Sequence, residues 1–289
     1  MINVFCFGLG YSATAFAHLC KTQGWALAGT TRSEDKALKL TAHGIEAMVF
    51  TGKEASSDVQ AAVAKATHVV VSIAPDDSGD PVLNHYSTDL ARNKQLKWIG
   101  YLSTVGVYGN HNGVWVDENT TVAPVSERSV RRVEAEKMWF DFAKDYAIPL
   151  QIFRLAGIYG PGRSAIEKIN SGKARRLIKP GQVFNRIHVT DIAATLLAGL
   201  QKPEQTGLFN VTDDMPAPPQ DVIAFAARLL NRPVPPDIPF ETARLSQMAR
   251  SFYGENKRVR NEKIKRLLGV KLSYPTYKEG LASIAAKHA

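Results

Sequence analysis

Short apolar runs alternate with helical stretches through the first half of the chain. The apolar runs are rich in β-branched and aromatic residues, as expected of buried strands, and lie at residues 2–7, 25–29, 45–50, 68–73, 98–102 and 150–155. Helical stretches follow the strands. The first helical stretch ends at residue 20, and the others span residues 34–43, 58–66, 82–94 and 127–146. This alternation predicts an α/β fold with a doubly wound parallel sheet and right-handed crossovers.

The last third of the chain is patterned less regularly. Two proline-rich stretches, residues 215–219 and 233–239, interrupt it. Proline fixes its own backbone angle and lacks an N–H donor, so such clusters mark loops. We therefore expect the sheet to be followed by a smaller mixed α/β region.

A glycine turn connects the first predicted strand to the first helix. Residues 8–13 read Gly-x-Gly-x-x-Ala, a form of the dinucleotide-binding fingerprint. Gly8 would allow the sharp turn, Gly10 a close approach of a pyrophosphate, and Ala13 tight packing of helix on strand. The helix start would offer free N–H groups to phosphate. The predicted cofactor-binding residues of this turn are Gly8, Leu9, Gly10, Tyr11, Ser12 and Ala13. The alternative is a strand-to-helix turn without a ligand.

The end of the second predicted strand bears on which dinucleotide binds. A site for NAD has an acidic residue there for the ribose 2′-hydroxyl, whereas this chain reads Thr31-Arg32-Ser33 before its first carboxylates, Glu34 and Asp35. A guanidinium and hydroxyl groups suit a 2′-phosphate. The sequence therefore favours NADP over NAD, although the two nearby acids keep NAD as the alternative.

Ligands of doubly wound sheets bind beyond the carboxyl ends of the strands. In this chain those ends are residues 8–13, 30–33, 72–76, 103–108 and 154–160. We expect these five segments to line one crevice. Ser72, Ala74 and Pro75, at the end of the fourth strand, are accordingly predicted to contact the cofactor.

Charge and composition narrow the range of functions. The chain has 36 basic and 27 acidic residues, a formal net charge of +9, with basic clusters at residues 173–179 and 250–271. A nucleic-acid surface is one interpretation, and solvated helix faces that attract an anionic cofactor and substrate are the other. No nucleic-acid-binding module is recognisable, so we expect no nucleic-acid partner.

Targeting and metal signals are missing from the sequence. No apolar run approaches the ~18 residues of a membrane span, and the first strand starts at residue 2 without a signal peptide, so we expect a cytoplasmic protein that does not bind membranes. Cys6 and Cys20 fit neither a zinc site nor a redox pair and are expected to be reduced, buried thiols. The histidine spacing predicts no metal site.

Several motifs resemble the extended short-chain dehydrogenase/reductases, the NAD-dependent epimerase/dehydratase family. They occur in the family's order at residues 102–109 (Leu-Ser-Thr-Val-Gly-Val-Tyr-Gly), 116–118 (Val-Asp-Glu) with Pro124, 154–162 (Arg-Leu-Ala-Gly-Ile-Tyr-Gly-Pro-Gly), 188–193 (His-Val-Thr-Asp-Ile-Ala) and 209–211 (Phe-Asn-Val). The resemblance implies a Rossmann fold and a nicotinamide site. It also implies an active-site Ser/Thr, a Tyr that transfers a proton, and a Lys four residues after the Tyr.

The chain departs from that pattern at the catalytic pair. Thr104 occupies the Ser/Thr position, but the Tyr and Lys positions hold Arg128 and Arg132. With residues 256–261 and the Tyr274-Pro275 pair, this departure resembles an atypical branch that keeps the cofactor fingerprint and lacks the Tyr-x-x-x-Lys pair. A Tyr-x-x-x-Lys spacing recurs once, from Tyr274 to Lys278, but Pro275 breaks the helix it needs, so we interpret it as a loop and helix start.

Arginine changes the available chemistry. An arginine side chain keeps its proton at any working pH, so Arg128 cannot replace a tyrosine general acid–base, whereas Arg132 could still donate hydrogen bonds to a ribose. Residues spaced four apart share one helix face, and two guanidiniums at a crevice would bind a carboxylate or phosphate. The alternative is a pair of surface arginines in salt bridges.

Few other residues are candidates for proton transfer. Tyr108 and Tyr159 belong to strand-end motifs near the crevice, although either can simply pack. His111 lies in a flexible loop and can equally be a solvated histidine. Glu118 and Asp191 are interpreted as scaffold, with Asp191 capping a helix.

These observations lead to two functional hypotheses. The first is an NADP-dependent oxidoreductase or epimerase that acts on a small anionic hydroxyl or carbonyl compound and uses Thr104, Tyr108, Arg128 and Arg132. A homodimer is compatible with this hypothesis. The second is a catalytically silent, NAD(P)-responsive binding or regulatory protein. We expect residues 1–160, with 187–212 returning to them, to form the NAD(P)-binding Rossmann domain, and residues 161–186 and 213–289 the substrate-binding region.

Overall fold

A parallel sheet of seven strands forms the centre of the computed structural model, which describes residues 1–287 with the side chain of Met248 left out. The strands of the described chain are β1 (Asn3–Phe7), β2 (Ala26–Thr31), β3 (Glu46–Val49), β4 (His68–Val71), β5 (Trp98–Thr104), β6 (Trp115–Val116), β7 (Leu150–Leu155), β8 (Gly157–Tyr159), β9 (Arg176–Ile178), β10 (Arg186–His188), β11 (Gly207–Val211), β12 (Asp237–Pro239) and β13 (Arg258–Val259). The sheet order is β11-β7-β5-β4-β1-β2-β3.

Helices connect these strands and cover both faces of the sheet. They are α1 (Tyr11–Thr22), α2 (Glu34–Ala42), α3 (Ser57–Lys65), α4 (Pro81–Arg92), α5 (Glu127–Asp145), α6 (Ala165–Asn170), α7 (Val189–Leu200), α8 (Pro219–Leu229), α9 (Gln247–Phe252) and α10 (Tyr277–Ala285). A 3₁₀ turn over Val105–Tyr108 and a π turn over Ile264–Leu268 complete the described helical elements.

Alternate residues of strand β1, which lies beside the central strand β4, belong to two different hydrophobic cores. In β1, Val4 and Cys6 belong to the cluster that packs on α1 and α7, whereas Phe5 and Phe7 belong to the cluster that packs on α3, α4 and α5. Both sets are buried because each face of a parallel sheet is covered by helices. Parallel strands, helices on both faces and the order of strands confirm the predicted doubly wound Rossmann-like fold.

One strand boundary near the site differs from the sequence prediction, and one predicted motif adds a strand to the central sheet. Strand β2 runs on to Thr31, two residues beyond the predicted end, so Arg32 directly follows the strand. The Phe-Asn-Val motif at 209–211 belongs to β11, which pairs with β7 at the edge of the central sheet. The chain therefore returns to the sheet after residue 160.

The C-terminal part adds smaller sheets and a third apolar cluster. Three two-stranded parallel pairs, β6–β13, β8–β10 and β9–β12, lie outside the central sheet. Helices α6, α8 and α10 share a core that includes Ile166, Val222 and Leu281. Helix α10 begins at Tyr277 behind a capping box of Thr276 and Glu279, so Tyr274 lies outside the helix that carries Lys278. The interpretation of that stretch as a loop and helix start is confirmed.

Asp191 has a different role from the predicted one. The N-cap of α7 is His188, whose Nδ1 accepts from the Thr190 N–H, so the prediction that Asp191 caps a helix was wrong. Asp191 is fully buried, and its carboxylate instead accepts the backbone N–H groups of Ser273 (2.7 Å) and Tyr274 (3.1 Å). A carboxylate forms strong hydrogen bonds with backbone N–H groups. The two N–H groups that Asp191 accepts lie just before the start of α10.

Cys6 and Cys20 are free and buried, as predicted. Among the helices of residues 1–287, none is both long and apolar enough to cross a membrane.

Candidate cofactor site and substrate crevice

The first glycine of the fingerprint adopts a left-handed backbone conformation that residues with a Cβ rarely adopt. Gly8 has a φ of +89°, and a Cβ there would lie 2.9 Å from both Ser72 Oγ and Ile73 Cγ1. L-residues avoid positive φ because the Cβ clashes with the backbone. Gly8 therefore serves the turn and the packing of β1 on the end of β4.

Gly10, unlike Gly8, has free space around its Cα. It is the N-cap of α1, it supplies no side-chain cap, and a Cβ added to it would meet no atom within 4 Å. The first turn of α1 carries no acidic residue. Free N–H groups, the positive end of a helix dipole and unfilled space fit the pyrophosphate of a dinucleotide.

Neighbouring strand ends hold the turn. The Gly8 N–H donates to Thr30 Oγ1 (2.9 Å), and the Leu9 N–H donates to the Thr30 carbonyl (2.6 Å). Ser72 Oγ donates to the Gly8 carbonyl. Three of the predicted crevice segments therefore meet at this turn. Ala74 is exposed and Pro75 half-buried just beyond Ser72, whereas Ser12 and Ala13 are buried in α1.

The end of β2 presents two cations. Thr31 is buried, and Arg32 and Ser33 are exposed. Sequence reasoning missed Lys36, whose Nζ donates to the Leu9 carbonyl (2.6 Å) and so lies against the glycine turn. No local pattern signalled this contact, because Lys36 and Leu9 lie 27 residues apart in the sequence.

A second segment reaches the glycine turn from the far side of the sheet. Tyr11 Oη donates to the Pro161 carbonyl (2.8 Å) across 150 positions of sequence. Gly160 packs against the same phenol, since a Cβ there would lie 2.6 Å from Tyr11 Oη. The loop after β8 thus closes the crevice opposite β2.

Thr104 ends β5 at the same edge of the sheet. It is half-buried, and its Oγ1 accepts from the Gly106 N–H (3.1 Å), which starts the 3₁₀ turn. The hydroxyl proton of such a threonine remains available for another acceptor. Ser129 of α5 lies beside the same turn, 2.9 Å from where a Gly106 Cβ would be.

The two arginines at the Tyr and Lys positions make different contacts. Arg132 Nη1 donates to Tyr101 Oη (2.7 Å) and to the Leu102 carbonyl (3.0 Å), and its guanidinium lies over the Tyr101 ring. Arg128 is exposed and lies 5.3 Å from the ring centroid of Phe252 in α9. Arg132 therefore supports the end of β5, while Arg128 faces the C-terminal part of the chain.

Tyr108 is part of a buried polar network. Its side chain is fully buried, its Oη donates to Asn210 Oδ1 (2.8 Å), and burial raises its pKa. The Arg154 guanidinium lies over its ring and forms a two-point salt bridge with Glu136 (2.6 and 3.1 Å). A phenol without solvent access and with a raised pKa favours the packing alternative for Tyr108 over proton transfer.

The remaining proton-transfer candidates also have structural partners. Tyr159 is buried and donates to the Thr276 carbonyl (3.3 Å), and burial raises its pKa. A ring nitrogen of His111 lies 3.0 Å from the Tyr108 carbonyl. Glu118 accepts from the Asn210 N–H (2.8 Å), in keeping with its interpretation as scaffold.

A cavity of about 480 Å³ lies between the β4–α4 loop and the start of α5. Its acidic lining residues are Asp76, Asp77, Glu127 and Glu134, and Arg131 among them pairs with Asp77 and Glu127. This cavity does not attract anions. Arg128 does not line this cavity, and an anionic group would be drawn to Arg128 instead.

The parallel sheet, the tight glycine turn and the open helix start together define a dinucleotide-binding fold. Comparison with known proteins agrees: the chain belongs to the NAD dependent epimerase/dehydratase family, whose model matches residues 8–212. The family resemblance drawn from the motifs is thus confirmed.

Similar proteins include some whose role is not established. A conserved protein of unknown function from Silicibacter pomeroyi DSS is 47% identical, with a TM-score of 0.90 over 100% of this chain and 99% of that one. Protein YeeZ of Escherichia coli K12 is 26% identical over 220 residues, 73% of this chain and 77% of that protein. The dTDP-glucose 4,6-dehydratase of Bacillus anthracis, solved with NAD, is 16% identical with a TM-score of 0.77, covering 100% and 96% of the two chains, and shares the fold.

Proposed function

We propose that the protein binds NADP and acts as an oxidoreductase or epimerase on a small anionic hydroxyl or carbonyl compound. The observation that carries the choice of cofactor is the pair of cations at the end of β2. Arg32 is exposed directly after the strand, and Lys36 lies against the glycine turn through the Leu9 carbonyl. A 2′-phosphate at this place would gain two charge-assisted contacts. The other expected contacts are Thr31, Ser33, Ser72, Ala74 and Pro75.

The bound nicotinamide would donate or accept a hydride, and the chain would orient the substrate. Thr104 has its oxygen engaged by Gly106 and can donate its hydroxyl proton to a substrate oxygen. Arg132 holds the end of β5 through the Leu102 carbonyl, which keeps Thr104 in place. Arg128 is the candidate ligand for the substrate anion.

The substrate would lie between the Rossmann part, residues 1–160 with 187–212, and the region of residues 161–186 and 213–289. The contact of Arg128 with Phe252 supports this placement, because it joins α5 to the C-terminal part of the chain. An exposed guanidinium over an aromatic ring keeps its hydrogen-bond donors free for a carboxylate or phosphate.

A binding experiment tests the cofactor assignment. Titration of the protein with NADPH and NADH, followed by nucleotide fluorescence, should show tighter binding of NADPH. Arg32→Ala should weaken NADPH binding about tenfold and leave NADH binding nearly unchanged, because NADH lacks the 2′-phosphate. Equal binding of the two nucleotides by the unmodified protein would contradict the NADP assignment.

A second function is favoured by the residues at the family's Tyr and Lys positions. Arginine is not a general acid–base in proteins, so neither Arg128 nor Arg132 can move a proton as a tyrosine does. A catalytically silent, nucleotide-responsive binding protein would keep the cofactor site and lack turnover. Screening small anionic carbonyl compounds with NADPH separates the two: turnover that Arg128→Ala lowers supports the enzyme, and tight NADPH binding without turnover supports the binding protein.

A further inference from the structure

The glycine turn contains no charged side chain of its own. Residues 8–13 read Gly-Leu-Gly-Tyr-Ser-Ala, and the first turn of α1 has no acidic residue. A cofactor pyrophosphate bound there would be met by backbone N–H groups and the helix dipole. Lys36 approaches from the β2 side, where the adenosine half of the cofactor would lie. A cation for the pyrophosphate has to come from another segment.

The loop after β8 brings such a cation to the turn. The Arg163 guanidinium lies 5.8 Å from the centroid of the Tyr11 ring. Tyr11 is the first residue of α1, next to Gly10, so the guanidinium stands beside the helix start. Arg163 comes after β7 and β8 in the chain and Lys36 comes after β2, and β7 and β2 lie on opposite sides of β1 in the sheet.

Arg163 is held in place by a tight turn. Gly160 and Arg163 exchange backbone hydrogen bonds (3.0 and 3.2 Å), and the Tyr11 phenol ties the same turn to α1 through the Pro161 carbonyl. The residue is exposed, and no carboxylate of residues 1–287 forms a salt bridge with it. A guanidinium stacked on an aromatic ring loses little entropy when it binds an anion, because its position is already restricted.

We propose that Arg163, positioned by Tyr11, binds the pyrophosphate of the cofactor and closes the loop of residues 160–163 over it. This inference rests on the proposed cofactor site and adds the residue that contacts the diphosphate. Under this proposal Arg163 contacts only ligands that carry a diphosphate. It therefore contributes to the binding of NADPH and ADP. It contributes nothing to the binding of adenosine 2′-monophosphate, whose phosphate would lie at Arg32 and Lys36.

The test compares these three ligands by isothermal titration with the full-length protein. Arg163→Gln should raise the Kd for NADPH and for ADP about ten- to hundredfold, as expected for a charge-assisted hydrogen bond, and leave the Kd for adenosine 2′-monophosphate within about twofold. Arg163→Lys should retain part of the affinity. Arg92→Gln, which removes an exposed arginine at the end of α4, is the matched control and should change none of the three.

The outcomes separate the inference from the cofactor site. Unchanged NADPH and ADP binding in Arg163→Gln overturns the inference and leaves the site intact. An equal loss for all three ligands also overturns it, because the effect is then not directed at the diphosphate. An unmodified protein that binds none of the three overturns the cofactor site itself.

Discussion

Asp213 is a buried side chain whose ionisation lowers the free energy of unfolding. It follows β11, is 1% exposed, and accepts the Met215 N–H through Oδ1 (3.1 Å), while its Oδ2 has no hydrogen-bond partner in the described chain. Burial raises its pKa to about 8, an effect that Asp214 and Asp191 reinforce and Arg186 opposes. A carboxyl group with a pKa above that of the unfolded chain, about 3.9, favours the folded state only while it is protonated.

We therefore expect Asp213 to make the protein less stable as the pH rises from about 4 to 8. The folded state binds the proton more tightly in that range, so the free energy of unfolding falls by at most about 1.4 kcal/mol per pH unit from this group. Asp213→Asn removes the titration. Urea unfolding of both proteins between pH 5 and 8 should show the variant gaining on the unmodified protein as the pH rises, and parallel pH profiles would contradict the assignment.

At the scale of the element, the two glycines of the turn have different roles, one in nucleotide binding and one in folding. Gly10 has φ −78° and ψ −168°, an ordinary extended conformation, and it is the N-cap of α1. Serine is a preferred N-cap residue, so Gly10→Ser should leave the free energy of unfolding unchanged or slightly raised. The same side chain would fill the space predicted for the pyrophosphate. We expect at least a tenfold rise in the Kd for NADPH, about 1.4 kcal/mol or more.

Gly8→Ala is the complementary variant. Its positive φ and the 2.9 Å approach to Ser72 Oγ predict a loss of stability even without nucleotide. Chemical unfolding and NADPH titration of both variants give the comparison. If Gly10→Ser bound NADPH as well as the unmodified protein does, the pyrophosphate would have to lie elsewhere.

The same elements show what sequence reasoning can and cannot reach. The fingerprint and the continuous apolar run of β1 are local patterns, so the sheet and the glycine turn were predictable. The contact of Lys36 with Leu9 and that of Tyr11 with Pro161 were not, because they join segments 27 and 150 residues apart. The direction of a side chain could not be predicted either. Arg128 and Arg132 are four residues apart in α5, but Arg128 contacts Phe252 and Arg132 contacts Tyr101.

At the scale of the whole molecule, Asp191 joins the sheet-covering helix α7 to the C-terminal part. Its buried carboxylate accepts the N–H groups of Ser273 and Tyr274, just before α10. Asp191→Asn turns one acceptor into a donor that faces a donor. We expect a loss of about 1.5–3 kcal/mol in the free energy of unfolding and earlier proteolysis near α10.

The matched control for that variant is Asp145→Asn at the exposed end of α5, which should change stability by less than about 0.5 kcal/mol. Urea unfolding gives the stability, and limited proteolysis with mass spectrometry locates the first cut. An Asp191→Asn protein as stable as the control would show that the hydrogen bonds of Asp191 do not hold the C-terminal part.

The two buried cysteines allow the opening of β1 and α1 to be measured. Cys6 lies in β1 and Cys20 in α1, and burial raises the pKa of both thiols, that of Cys20 to about 12. Alkylating reagents attack the thiolate, so neither sulfur reacts while strand and helix stay packed. The rate at which an alkylating reagent modifies the chain therefore reports how often β1 and α1 part. A nucleotide seated on the glycine turn between them should slow that rate.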